Sequence, residues 1–116
     1  MPSVVIKGKE QNYIFSVVSA REYSEMPDWG GVWLAVDAQS LGLRMKDCKA
    51  MGACSSFKKY ESKLKSFFRN GCTHLYLLPE YDQSRRDFAL EDLAKTEAFA
   101  GVFDIEKTEA QQEKEA

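Results

Sequence analysis

Few side chains in this sequence are of kinds that do chemistry. There is one histidine, His74, and there are three cysteines, Cys48, Cys54 and Cys72. Imidazole and thiolate are the donor types that suit zinc, which makes these four the first metal candidates. Their spacing argues against the site. Cys48 and Cys54 are separated by five residues and Cys72 and His74 by one, and neither is a usual zinc pair. His74 also lies inside the apolar run Cys72-Thr73-His74-Leu75-Tyr76-Leu77-Leu78, where it reads as a strand histidine satisfied by a hydrogen bond, on the face of Cys72 and Tyr76. A Ser/His/Asp set cannot be built without taking His74 out of that strand, and no glycine-rich phosphate cradle follows a strand. The odd cysteine count, behind an N-terminus with no basic lead-in, reads as reduced thiols in a cytoplasmic protein.

Charge is the stronger signal. Residues 40–70 carry Arg44, Lys46, Lys49, Lys58, Lys59, Lys63, Lys65 and Arg69 against only Asp47 and Glu61. Residues 79–116 carry five basic and eleven acidic side chains, and the whole chain sums to a net charge of -2. Clustered Lys and Arg supply the sequence-independent part of nucleic-acid affinity, and they equally suit an acidic protein. The plainer alternative is a solvated lysine face beside a solubilising acidic end. The near-zero net charge excludes a uniformly polybasic protein. With 44% hydrophobic residues, the chain is neither collagen-like nor wholly disordered. Its longest apolar runs, such as Leu75 to Leu78, are far short of the roughly 20 residues that span a bilayer.

The elements that must position these residues follow from periodicity. At 116 residues one domain is expected, with a core that needs neither disulfide nor metal. Val4 and Ile6, then Tyr13, Phe15 and Val17, alternate with their neighbours around Gly8-Lys9-Glu10-Gln11, a hairpin pattern. Ala20 to Gly30 reads as loop, Val32 to Val36 as a strand, Asp37 to Gly42 as a turn, and Lys49 to Met51 as a weak strand closed by Gly52. Trp33 belongs to the core, whereas Trp29 sits in a polar loop and is open to surface contact. Ser55 or Ser56 can cap a helix in which Phe57, Tyr60, Leu64, Phe67 and Phe68 form one apolar stripe, with Lys58, Lys59, Lys63 and Arg69 opposite. Asn70-Gly71 ends it. Cys72 to Leu78 is a strand stopped by Pro79. Asp82 caps a second helix to about Glu97, buried through Phe88, Ala89, Leu93 and Ala94. The predicted domain covers 1–103, with 104–116 an acidic polar tail. The fold class is α/β (α+β), a small, mostly antiparallel sheet with flanking helices.

The order of these elements resembles the small stand-alone GIY-YIG nuclease-like domains of bacteria and their phages, from about Ile6 to Asp104. Gly31-Val32-Trp33 stands where that family has Gly-Ile-Tyr. Ala50-Met51-Gly52, followed by Ala53-Cys54-Ser55-Ser56-Phe57, stands where it has Tyr-Ile-Gly and the turn into the first helix. Asn70-Gly71-Cys72-Thr73-His74 leads into the third strand. Arg86 to Leu93 matches an arginine, three residues, a glutamate position, one residue and Asp-Leu. The family cleaves phosphodiesters with a divalent metal held by the helix glutamate, assisted by two tyrosines and an arginine.

Carried over by position, the resemblance implies a degenerate site. The tyrosines become Trp33, whose indole only donates, and Ala50, which has no functional group. The arginine becomes Tyr60 and the glutamate becomes Leu90, which cannot ligate magnesium; the late asparagine falls near Val102. A one-residue slip restores Glu91 but breaks the Asp92-Leu93 match and turns the side chain by roughly 100° around the helix. Metal activation and electrostatic stabilisation are each worth several kcal/mol of barrier. The expectation is therefore a nuclease-like domain with no catalytic residues, no metal and no cofactor. It would act as a regulatory or inhibitory factor that binds nucleic acid or an acidic protein through residues 44–69, with no membrane contact. The alternative is an active Mg-dependent endonuclease using Glu91 and the lysines. A third class is a structural or oligomer-forming protein whose lysines only keep it soluble. Under the first reading, Trp33, Ala50, Tyr60 and Leu90 should line one side of the sheet together.

Overall fold

The computed structural model describes residues 3–21, 26–37, 48–96 and 105–107, the last as backbone only. In chain order it contains β1 (Ser3–Lys7), β2 (Asn12–Ser19), β3 (Gly31–Val36), β4 (Cys48–Cys54), α1 (Glu61–Arg69), β5 (His74–Pro79), α2 (Gln83–Ala94) and β6 (Ile105–Lys107). The strands form one sheet in the order β1-β2-β5-β3-β4-β6. The first five are antiparallel to their neighbours, and β6 adds parallel to β4. This is the expected α+β class.

Alternation along the strands sorts side chains onto two faces. Ile6, Tyr13, Phe15, Val17, Val32, Leu34, Met51 and Tyr76 point to one face, where Ala89, Leu90 and Leu93 of α2 pack on them. Val18, Trp33, Ala35, Ala50, Cys54, Leu75 and Leu77 point to the other, beneath Leu64 of α1 and Phe57. The two helices therefore lie on opposite sides of the sheet. β3 is central and buried along its whole length. At its start, Gly31 runs so close to β5 that a Cβ there would overlap the Leu78 carbonyl.

Several boundaries differ from expectation. β4 does not close at Gly52 but runs through it to Cys54. Gly52 pairs with Trp33 across the ladder, so the residue without a side chain stands opposite the largest one. α1 starts at Glu61, not at the serines. Ser56 instead organises the turn before it, accepting from the Tyr60 N–H through its carbonyl (3.2 Å) and from the Lys59 N–H through its Oγ (3.3 Å). Gly71, at φ 104, takes the left-handed position expected after the helix. The Asp82 side chain accepts from the Ser84 N–H at 2.9 Å, the predicted cap of α2, which ends at Ala94. Phe88 is not core: it is 48% exposed, and Leu90 takes the buried place. β6 draws residues 105–107, read as tail, into the sheet. The predicted turn beyond Asp37, together with Arg44, Lys46 and Val102, lies outside the described residues.

Candidate functional site

The four positions that should share a concavity do not. Trp33 and Ala50 are buried beneath α1, with the Trp33 ring 6.1 Å from Tyr60 and 5.1 Å from Phe67. Leu90 is buried on the other face, under α2. The slip to Glu91 does not repair this, because every α2 residue lies on the far side of the sheet from Trp33. Glu91 is exposed, beside a shallow hollow it shares with Glu10, Phe88, Asp92 and Lys95. The Trp33 indole N–H is buried with no hydrogen-bond partner, an apolar setting that offers a substrate nothing to accept a proton.

The acidic residue that matters structurally is Asp92, and the sequence gives no hint of its role beyond an Asp-Leu pair. It is 2% exposed. Its carboxylate accepts from the Glu10 N–H (2.7 Å), the Gln11 N–H (3.3 Å) and the Tyr13 hydroxyl (2.8 Å). Gly8 leaves room for it, since a Cβ there would strike Asp92 Oδ2. Burial pushes the Asp92 carboxyl up, but the hydrogen bonds from Tyr13, Glu10 and Gln11 outweigh it and hold the carboxyl below its ordinary value. Burial, and then the bond to Asp92, pushes Tyr13 up to about 12. The three bonds reach the β1–β2 turn and the start of β2, so Asp92 is a clamp between α2 and the hairpin. Arg86 is likewise buried. Its guanidinium donates to the Glu80 and Tyr81 carbonyls at 3.1 and 2.8 Å, fastening the loop into α2.

The zinc candidates form no ligand set, although Cys48 and His74 flank Val36 in the ladder. Cys48 and Cys54 stand at opposite ends of β4, roughly 20 Å apart at strand rise, so they cannot share an ion. Cys72 precedes β5 and packs under α1, so it does not share a face with His74 and Tyr76 as expected. Burial pushes the Cys48 thiol up to about 12 and raises that of Cys72, opposing the thiolate that metal binding and nucleophilic attack require. His74 Nδ1 lies 2.7 Å from Thr73 Oγ1, the satisfied strand histidine expected. Among the described residues, no group of three or more His, Cys, Asp or Glu side chains is placed to hold a metal.

The basic residues assemble better. Lys58 and Lys59, in the turn before α1, are exposed, as are Lys63 and Arg69 on the helix. Leu64 faces inward and holds this row outward. Phe67 and Phe68 are half-buried at its edge, and the Lys63 ammonium lies 5.6 Å over the Phe67 ring. Lys65 is engaged with Glu61 at 3.0 Å, and Glu61 also accepts from the Met26 N–H at 3.1 Å. Lys49 is exposed on β4, close enough to Cys72, just beyond the end of α1, to act on its thiol. Trp29 is half-buried edge-on against Phe57 at 5.2 Å, propping the turn from behind. This face combines exposed cations with aromatic edges, the ingredients for holding phosphates or a carboxylate-rich surface.

A groove of about 470 Å³ between the hairpin and α2 went unforeseen; Gln11, Tyr13, Pro79, Glu80, Arg85 and Phe88 are among its walls. Phe88, expected among the buried residues of the second helix, is exposed and forms one wall of this groove. Among the described residues no helix is long and apolar enough to cross a membrane. No family model matches the chain, and no curated protein or solved structure matches it either.

Proposed function

We propose that this protein is a non-catalytic binding module with a GIY-YIG-like order of elements. It serves as a regulatory or inhibitory factor and engages nucleic-acid phosphates through the α1 face. The supporting observation is four exposed cations, Lys58 and Lys59 in the turn before α1 and Lys63 and Arg69 on the helix, which the buried Leu64 anchors to the sheet. The burial of Trp33, Ala50 and Leu90 on two faces of the sheet weighs against hydrolysis at those positions. No metal or cofactor is needed for this role. The three cysteines are buried thiols that form no disulfide, which fits a reducing, cytoplasmic setting.

The experiment is a mobility-shift titration of duplex DNA and of single-stranded RNA with the full chain and with a Lys58→Ala/Lys59→Ala/Lys63→Ala variant. The proposal expects a complex with the wild type and a large loss with the variant. No complex at low salt, with retention instead by a carboxylate-rich protein column, moves the assignment to an acidic protein partner.

A further inference from the structure

The hairpin register fixes which backbone groups of the outermost strand remain open. The Gly8 N–H donates to the Gln11 carbonyl at 2.8 Å, making Gly8 and Gln11 a hydrogen-bonded pair. Such pairs alternate along an antiparallel ladder. Ile6–Tyr13 and Val4–Phe15 are therefore bonded pairs, and Ser3, Val5 and Lys7 turn their N–H and C=O groups outward. β1 ends the sheet, so among the described residues no strand meets those groups. Val5 and Ile14 face each other directly across the hairpin and are 61% and 64% exposed. They project to the α1 side of the sheet, where β2 contributes only Val18 to the core beneath the helix. Exposed edges of this kind are normally blunted by charge, bulges or a covering element.

We propose that two copies of this chain pair antiparallel through their β1 edges, about a two-fold axis at Val5, into one continuous sheet. The outward groups match this arrangement. Val5 exchanges both hydrogen bonds with the partner's Val5, and Ser3 does so with the partner's Lys7. On the open face Ile14, Val5, the partner's Val5 and the partner's Ile14 form one apolar row, the cross-strand contact that stabilises sheets. Apolar contact and charge together select the register: a centre at Val4 or Ile6 would set Val5 against the partner's Ser3 or the partner's Lys7 and break the apolar row. A centre at Lys7 would set two lysines directly opposite, whereas a centre at Val5 sets each Lys7 against a serine. A centre at Ser3 would leave Ile6 and Lys7 unpaired. These side chains cover only a fraction of the roughly 800 Å² per partner found in standard interfaces, so the dimer is weak and concentration-dependent. The seam uses none of the α1 lysines and is independent of the nucleic-acid reading.

Sedimentation equilibrium of the full chain, up to about 1 mM, tests it. The wild type follows a monomer–dimer equilibrium. Val5→Lys places like charges on the axis and raises the dissociation constant about tenfold or more. Ser3→Glu places a carboxylate opposite the partner's Lys7 and lowers the constant severalfold, an effect that salt reduces. Both positions are exposed, and circular dichroism melts verify the fold; Ile14→Lys replaces Val5→Lys if that variant melts early. A monomer throughout the range, or a dimer indifferent to either substitution, overturns the proposal.

Discussion

The Tyr13 hydroxyl donates a 2.8 Å hydrogen bond to Asp92, joining the second strand to the second helix across 79 positions of sequence. With the Glu10 and Gln11 N–H groups on the same carboxylate, it fixes α2 against one end of the sheet. Asp92→Ala would leave the Tyr13 hydroxyl and two amides without their acceptor and should cost about 2–4 kcal/mol, because each unsatisfied buried donor carries a desolvation penalty. Tyr13→Phe removes one donor and should cost about 1 kcal/mol. Denaturant melts of both variants check the order.

The same pair makes stability depend on pH at both ends. The folded Asp92 carboxyl lies below its unfolded value, so its contribution is present above that unfolded value, about 3.9, and is lost as pH falls through the folded one. Tyr13 is raised from 10.0 to about 12, so its contribution is complete below pH 10 and disappears as pH rises toward 12. Melting temperature measured across pH should fall on both limbs. Asp92→Asn should flatten the acid limb, and Tyr13→Phe the alkaline one.

Much of the scaffold is legible in residue order because it is local. Alternation marks the hairpin and β3, Asp82 announces α2, and Asn70-Gly71 ends α1. What is not legible is tertiary. Nothing in the spacing of Leu90 says which face of the sheet α2 will cover, and that choice separates Leu90 from Trp33. β4 looked weak because Ala50, Gly52 and Ala53 have low strand propensity, yet small residues are what fit against the indole of Trp33 and beneath the helices. For the same reason Asp92 read as a motif letter: its partners lie about 80 residues away in a turn.

The apolar stripe of α1 should be energetically uneven. Leu64 is completely buried, so Leu64→Ala should cost about 2–5 kcal/mol. Phe67, on the same apolar stripe, is only half-buried, against Trp33, so Phe67→Ala should fall below the roughly 3–5 kcal/mol of a full core phenylalanine. Urea melts with unchanged slope would show that both act on stability alone.

Gly31→Ala should be strongly disruptive. The added Cβ meets the Leu78 carbonyl, which is backbone in the neighbouring strand and cannot swing away. Loss of the cooperative transition, or a drop of several kcal/mol, is expected in thermal melts.

Purified protein should not nick plasmid or single-stranded DNA with magnesium or manganese. Glu91 is exposed on the opposite side of the sheet from Trp33 and Tyr60, and among the described residues no cluster of metal ligands surrounds it. Glu91→Ala should change neither DNA integrity nor melting temperature by a measurable amount. Nicking that disappears in this variant would instead restore the Mg-dependent endonuclease.

If the cations before and on α1 hold phosphates, DNA affinity depends steeply on salt. On duplex DNA the logarithm of the binding constant should fall linearly with the logarithm of salt, with a slope near -0.9 for each phosphate contacted. Replacing Lys58, Lys59 and Lys63 with alanine should flatten that slope by up to about three such contacts, with the melting temperature nearly unchanged because all three side chains are exposed. A slope identical in wild type and triple variant, or no binding at low salt, would contradict the account.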